Sequence, residues 1–116
     1  MSGELDIVRG HKDGVECVRF QGEITAENAA QLTAGVAEII KLDQKLVLFD
    51  LREVSYVSSV GIGALTQCAA NLAKAGGRLA VLHGEGILDR LFRLTHMEKA
   101  LSLYMDEAEA RKSFIS

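Results

Sequence analysis

Two short runs of unbroken apolar residues, Leu46-Val47-Leu48-Phe49 and Leu79-Ala80-Val81-Leu82, constrain this chain more than any other feature. A strand with water on one face alternates apolar and polar side chains. A run without alternation is expected where both faces are covered, as in the central strands of a parallel sheet. Parallel neighbours need a crossover between them, usually a helix. The intervening residues offer one. Ile62, Leu65, Ala69 and Leu72 recur at helical spacing, a flank of small Gly61, Ala64 and Cys68 permits close approach to a neighbouring backbone, and Ala75-Gly76-Gly77 stops the pattern.

The same logic extends in both directions. Ala29, Leu32, Val36 and Ile39 mark one face of an earlier helix, with Thr25 as its expected N-cap and Glu27 in its first turn. Asp50 is expected to end the first apolar strand, and Leu51 to Ser59 to be a connection. At the start, Leu5–Arg9 and Val15–Phe20 read as strands around a Gly10–Gly14 turn, an antiparallel hairpin with a loop of about five residues. Arg78–Leu82 is the second buried strand. Ile87, Leu88, Leu91, Phe92 and Thr95 predict a short amphipathic helix, Ala100–Tyr104 a last strand, and Asp106 with Glu109 a capping-box-like opening of a C-terminal helix. A hairpin followed by alternating helices and strands predicts an α/β fold. Its sheet is mixed, mostly parallel and of about five strands, with an N-terminal antiparallel hairpin strand and about four helices. A length of 116 residues suits a single domain spanning 1–116.

Composition narrows the function classes. The net charge is −3 and spread along the chain, with no basic stripe for nucleic acid. No run approaches the roughly 20 apolar residues of a membrane span, so membrane insertion is not expected. The opening residues show no basic segment followed by an apolar one, which makes the cytoplasm the expected compartment. Cys17 and Cys68 are read as two buried thiols. His11, His83 and His96 show no metal-ligand spacing with the cysteines and are read as surface or loop residues, His83 being the one that ends a parallel strand. No metal, cofactor or catalytic residue is expected. Gly61-Ile62-Gly63 lacks the third glycine of a dinucleotide fingerprint, since position 66 is Thr66, and no Gly-Lys-Ser/Thr occurs. Ser59, His83 and Asp50 could form a hydrolytic triad on paper, but the Gly-x-Ser-x-Gly elbow is missing.

The site is expected at the carboxyl ends of the parallel strands, where ligands and partners meet open α/β sheets. Three loops lie there: Gly22–Thr25, Asp50–Gly61 and His83–Gly86. In the middle one, Ser58 and Ser59 precede a helix. Either hydroxyl can cap the free amides of the first turn. Either could also carry a phosphate, which a helix N-terminus accommodates through its amides and dipole. A minor alternative is nucleotide binding, without those nucleotide-binding motifs, in a pocket around Asp50, Thr25 and Ser59.

At this turn the sequence resembles a known family. Asp50-Leu51-Arg52-Glu53-Val54-Ser55-Tyr56-Val57-Ser58-Ser59-Val60-Gly61-Ile62-Gly63-Ala64-Leu65 is similar to the signature of STAS domains, the sulphate-transporter and anti-sigma-factor-antagonist family. Phe20-Gln21-Gly22-Glu23-Ile24, Ala75-Gly76-Gly77-Arg78-Leu79 and Leu88–Thr95 resemble further family segments in the correct order. The resemblance implies an anti-sigma factor antagonist that works by partner switching. Unphosphorylated, such a protein binds an anti-sigma factor that is also a serine kinase; phosphorylated, it lets go, and a serine phosphatase resets it. The family's phosphorylated serine falls on Ser59, with Ser58 in reserve. The expected partner-binding residues are Glu23, Thr25, Ser58, Ser59, Val60, Gly61 and Ile62. This chain has Ser58 where the family has aspartate, Val60 where it has a second serine or threonine, and Thr25 where it has another aspartate. A constitutive adaptor subunit of a signalling or lipid-transport complex is the alternative the resemblance leaves open, beside a small nucleotide-binding domain.

Overall fold

The computed structural model describes residues 4–115. Its hairpin joins β1 (Leu5–Lys12) to β2 (Val15–Ile24), antiparallel, with Lys12 opposite Val15. The loop is shorter than the expected five residues, because Asp13 and Gly14 both take positive φ, 55° and 78°. Two such residues suit a type I′ turn, whose twist matches that of the flanking strands. Gly10, His11 and Lys12 therefore stay in the ladder.

The sheet has five strands in the order β1-β2-β3-β4-β5, and every pair after the first is parallel. β3 runs from Leu46 to Val57, β4 from Arg78 to Leu82 and β5 from Ser102 to Tyr104. Asp50 does not end β3; it stands inside a 12-residue strand. The second half of β3 escapes the period-two pattern because it is bulged against β2. Arg19 pairs with Asp50 but Gln21 with Glu53, and Gly22 pairs with Val54 but Glu23 with Tyr56. Each shift adds one residue to β3. The inward residues Leu51, Val54 and Val57 consequently recur every third position, which in sequence looks like a connection.

Helices α1 (Ala30–Lys41), α2 (Ser59–Lys74) and α3 (Ile87–Leu94) share one core cluster with the inward face of β2, β3 and β4. Phe20 and Phe49 meet edge to face at its centre, 4.9 Å apart. The opposite face holds a smaller cluster of Val15, Leu48, Ala80 and Leu82, covered by Ala110 of α4 (Glu107–Lys112). Gly76, at φ 84°, ends α2 in a Schellman turn, with Gly77 N–H donating to Leu72 O at 2.7 Å and Gly76 N–H to Ala73 O at 3.0 Å.

Two expected caps differ. Thr25 does not cap α1 with its side chain. Asn28 folds back instead, its Oδ1 accepting from Thr25 N–H and its Nδ2 donating to Glu23 O, both at 2.9 Å. Asp106 does cap α4, accepting from Ala108 N–H at 2.8 Å, while Glu109 turns to Lys112.

Candidate functional site

The C-terminal ends of β2 and β3 converge where α2 begins. Ser58 N–H donates to Ile24 O at 2.9 Å, tying the turn to β2. Ser58 is the N-cap: its backbone is extended, its Oγ accepts from Gly61 N–H at 3.0 Å and its C=O from Ile62 N–H at 2.9 Å. Gly61 allows the helix to settle this close. A Cβ there would stand 2.7 Å from Ile24 Cγ2 and 2.9 Å from Val57 Cγ1, closer than packed carbons tolerate.

Ser59, the first helical residue, takes no part in the cap. It is exposed, and its hydroxyl makes no hydrogen bond among the described residues. Val60, the next residue, is 55% exposed, and Tyr56, near the end of β3, is 49% exposed. Ser58 is thus occupied in holding the helix end, while Ser59 is exposed with its hydroxyl free.

Of the residues expected to act together, Ser58, Ser59, Val60, Gly61 and Ile62 form the first turn of α2, with Gly61 buried and Ile62 half-buried. Glu23 and Thr25 are half-buried at the adjoining end of β2. Thr25 Oγ1 is buried and without a hydrogen bond. Asp50 is not part of this group. It lies on the face that α4 covers, seven residues back from the end of β3 and roughly 20 Å away at the usual strand rise. The pocket of Asp50, Thr25 and Ser59 considered from sequence does not form.

Asp50 instead anchors a chain of ion pairs. Arg52 Nε donates to its Oδ1 at 3.0 Å and Nη2 to its Oδ2 at 2.9 Å, and the Arg52 backbone N–H adds a third bond at 3.1 Å. Burial alone would raise the Asp50 pKa, but the hydrogen bonds and charge of Arg52, helped by Arg19, hold it below the ordinary value. Arg52 also reaches Glu107 of α4 at 3.2 Å, Glu107 pairs with Arg111 at 3.0 Å, and Arg111 donates to Cys17 Sγ at 3.1 Å. Sequence reading missed Arg52, Glu107 and Arg111. The local signal was Asp50-x-Arg52, two charges on one side of a strand; the distant partner on α4 had none.

The other candidates for chemistry are committed elsewhere. His83, read as a surface or loop residue, is buried with its ring edge-on to Phe92 and Nδ1 bonded to Gly84 O. With His83 and Asp50 both engaged away from Ser59, the paper triad does not assemble. Cys68 is buried, which pushes its thiol up to about 12, far from a nucleophile's range. Cys17, expected to be buried, is half-exposed because α4 covers its sheet face only in part. Among the described residues, no three His, Cys, Asp or Glu side chains gather as a metal site, and no helix is long and apolar enough to cross a membrane.

A family model for the STAS domain matches residues 6–110. A candidate anti-sigma factor antagonist of Bordetella bronchiseptica is 30% identical over 69 residues, a match spanning 60% of this chain and 60% of that relative. The crystal structure of an anti-sigma factor antagonist from Mycobacterium paratuberculosis superposes over 100% of both chains with a TM-score of 0.86 at 24% identity. The phosphorylated form of the Bacillus cell fate determinant SpoIIAA superposes with a TM-score of 0.68 over 93% of this chain and 99% of that one, at 14% identity. At these identities the two solved structures establish a common fold.

Proposed function

This chain belongs to the STAS domain family, and from that premise we propose that it is a cytoplasmic anti-sigma factor antagonist, a binding protein switched by phosphorylation of Ser59. In its unmodified state it holds an anti-sigma factor that doubles as a serine kinase; the phosphorylated state releases it, and a serine phosphatase restores binding. The observation that carries the reading is the division of labour at the turn. Ser58 spends its hydroxyl on the helix cap, and Ser59 leaves its hydroxyl free at the exposed helix start, where Val60 is exposed as well and Tyr56 is exposed near the end of β3. The names of the Bordetella relative and of the structural neighbours support the same function.

The physics of the switch is local. A phosphate on Ser59 adds about −1.5 to −2 charge at the first turn of α2. There the amides and the dipole favour it, by about 0.3–1 kcal/mol for a single exposed charge. The fold therefore tolerates the modification. Across the contact the balance reverses, because a partner packed on Tyr56 and Val60 would have to bury that charge without a counterion. Tenfold weaker binding needs only about 1.4 kcal/mol, so no rearrangement of the domain is required.

The test is affinity capture from native lysate with wild-type and Ser59→Asp baits, followed by mass spectrometry of proteins and phosphosites. Recovery of a serine kinase or anti-sigma factor by wild type, at least tenfold depleted on the aspartate bait, with phosphate mapped to Ser59, is the expected result. Equal recovery by both baits, with neither serine ever phosphorylated, would identify a constitutive adaptor and end the switch reading.

A further inference from the structure

Helix α3 carries an apolar flank that the core uses only at its middle, where Leu91 packs partly against it. Leu88 and Phe92 turn inward and are buried. Ile87, Leu91 and Leu94, at i, i+4 and i+7, line a different flank. Ile87 is 70% exposed and Leu94 73%, with Leu91 half-buried between them. With Gly86 and Arg90 they border an open groove of about 420 Å³. A helix apolar over so wide an arc is suited to cover on two sides, and this fold covers one.

Three observations define what fits the other side. Ile87 to Leu94 spans about 10 Å at the usual helical rise, two turns, the footprint of a partner helix with its own i, i+4, i+7 stripe. Arg90 is the one charged residue lining the groove, and its guanidinium makes no hydrogen bond or ion pair among the described residues; Arg93 is already paired with Asp89 at 3.1 Å. An uncompensated guanidinium beside an apolar strip selects a carboxylate beside the matching strip. Ile87 also lines a second recess with Arg52 and Ser55 of β3, so the stripe runs into the end of the strand that presents Tyr56 and leads to Ser59.

We propose that α3 docks an amphipathic helix of the partner protein, seating apolar side chains on Ile87, Leu91 and Leu94 and a carboxylate on Arg90, as a foothold separate from the Ser59 turn. The inference rests on the partner-binding reading but not on the phosphate switch. A phosphorylated chain would lose one of two contacts and keep the other.

The experiment is an amide NMR titration of the full chain with two synthetic helical peptides. Both carry leucines at i, i+4 and i+7; one has glutamates along the flank of that stripe, the other lysines. The glutamate peptide should shift the amides of Gly86–Leu94 and bind about tenfold more tightly than the lysine peptide. Arg90→Glu should invert that preference, and Leu94→Ser should abolish binding to both. Equal affinity for the two peptides, shifts away from α3, or no inversion would overturn the proposal. So would self-association of the wild type that Leu94→Ser removes, which assigns the stripe to a second copy, or vesicle binding that Leu94→Ser removes, which assigns it to lipid. With the partner from the Ser59 capture purified, Leu94→Ser should lower affinity about tenfold in both the wild-type and the Ser59→Asp backgrounds. An effect of Leu94→Ser without one of Ser59→Asp removes the switch and leaves α3; the reverse removes α3 and leaves the switch.

Discussion

Adjacent serines with the same chemistry hold different positions here, and stability measurements should separate them. Ser58 Oγ satisfies the Gly61 amide, one of the amides a helix start leaves without an internal partner. Ser58→Ala should cost about 1 kcal/mol, a fall of roughly 3–6 °C in the thermal midpoint for a chain of this size. Ser59→Ala removes a hydroxyl that bonds nothing in the described structure and should stay within about 0.5 kcal/mol of wild type. Paired thermal melts decide it. A Ser59→Ala variant that loses as much as Ser58→Ala would mean that both hydroxyls serve the fold, and the division of labour on which the switch rests would fall. From sequence the two were interchangeable, since either can cap a helix that follows both. Only the backbone path, extended at Ser58 and helical from Ser59, distinguishes them.

At the scale of elements, the tie between β3 and α4 predicts a pH dependence. Asp50 and Glu107 both titrate below their ordinary values in the folded chain, Asp50 because Arg52 and Arg19 outweigh its burial, Glu107 chiefly through its hydrogen bond to Arg111. A carboxylate with a lowered folded pKa contributes stability above its unfolded pKa and loses it as pH falls through the folded one. The contribution of this chain of ion pairs is therefore whole at neutral pH and fades below about pH 4, the unfolded carboxylate range. Arg52→Met leaves Asp50, 8% exposed, without its main partner and should destabilise by roughly 1–3 kcal/mol at pH 7. At pH 3 the gap between variant and wild type should narrow. Chemical denaturation at the two pH values measures this; a gap that is constant or wider at pH 3 would mean that Arg52 acts through packing alone. The elements themselves were legible wherever periodicity is local: the hairpin, the buried runs, the stripes of α1 and α2. The second half of β3 was not, because its two bulges are a property of pairing with β2 and turn a period of two into one of three. Nor was the Arg52–Glu107 pair, whose members lie 55 residues apart and meet only once α4 folds back over the sheet. The candidate site divided likewise. The Ser58–Ile62 turn was legible from its helix-start signals, and Asp50 was misplaced because its strand was cut short.

For the molecule as a whole, the asymmetry of the two sheet faces matters more than the number of elements. Three helices and most of the large side chains lie on one face; on the other, a six-residue helix is the main cover for Val15, Leu48, Ala80 and Leu82. Leu82 and Ala80 are 0% and 1% exposed under it, and Leu48 2%. Burying a leucine is worth about 1.5–3 kcal/mol, and small domains hold only about 5–15 kcal/mol in total. So short a helix cannot persist alone; its place depends on Ala110, on the Asp106 cap and on the ion pairs to Arg52. A chain ending at Met105 would keep every strand and the whole Ser59 surface, yet open a contiguous apolar patch across the middle strands. Such patches drive association. The truncated chain should therefore bind a hydrophobic dye, melt over a broader range and sediment as oligomers at concentrations where the full chain is monodisperse. A monomeric 1–105 chain melting within a few degrees of wild type would show that α4 is an accessory to the fold and that the sheet tolerates water on that face. If truncation does cause association, the two ends of the domain have different tasks: the strand ends beside Ser59 remain available to a partner, and α4 keeps the opposite face from acquiring one.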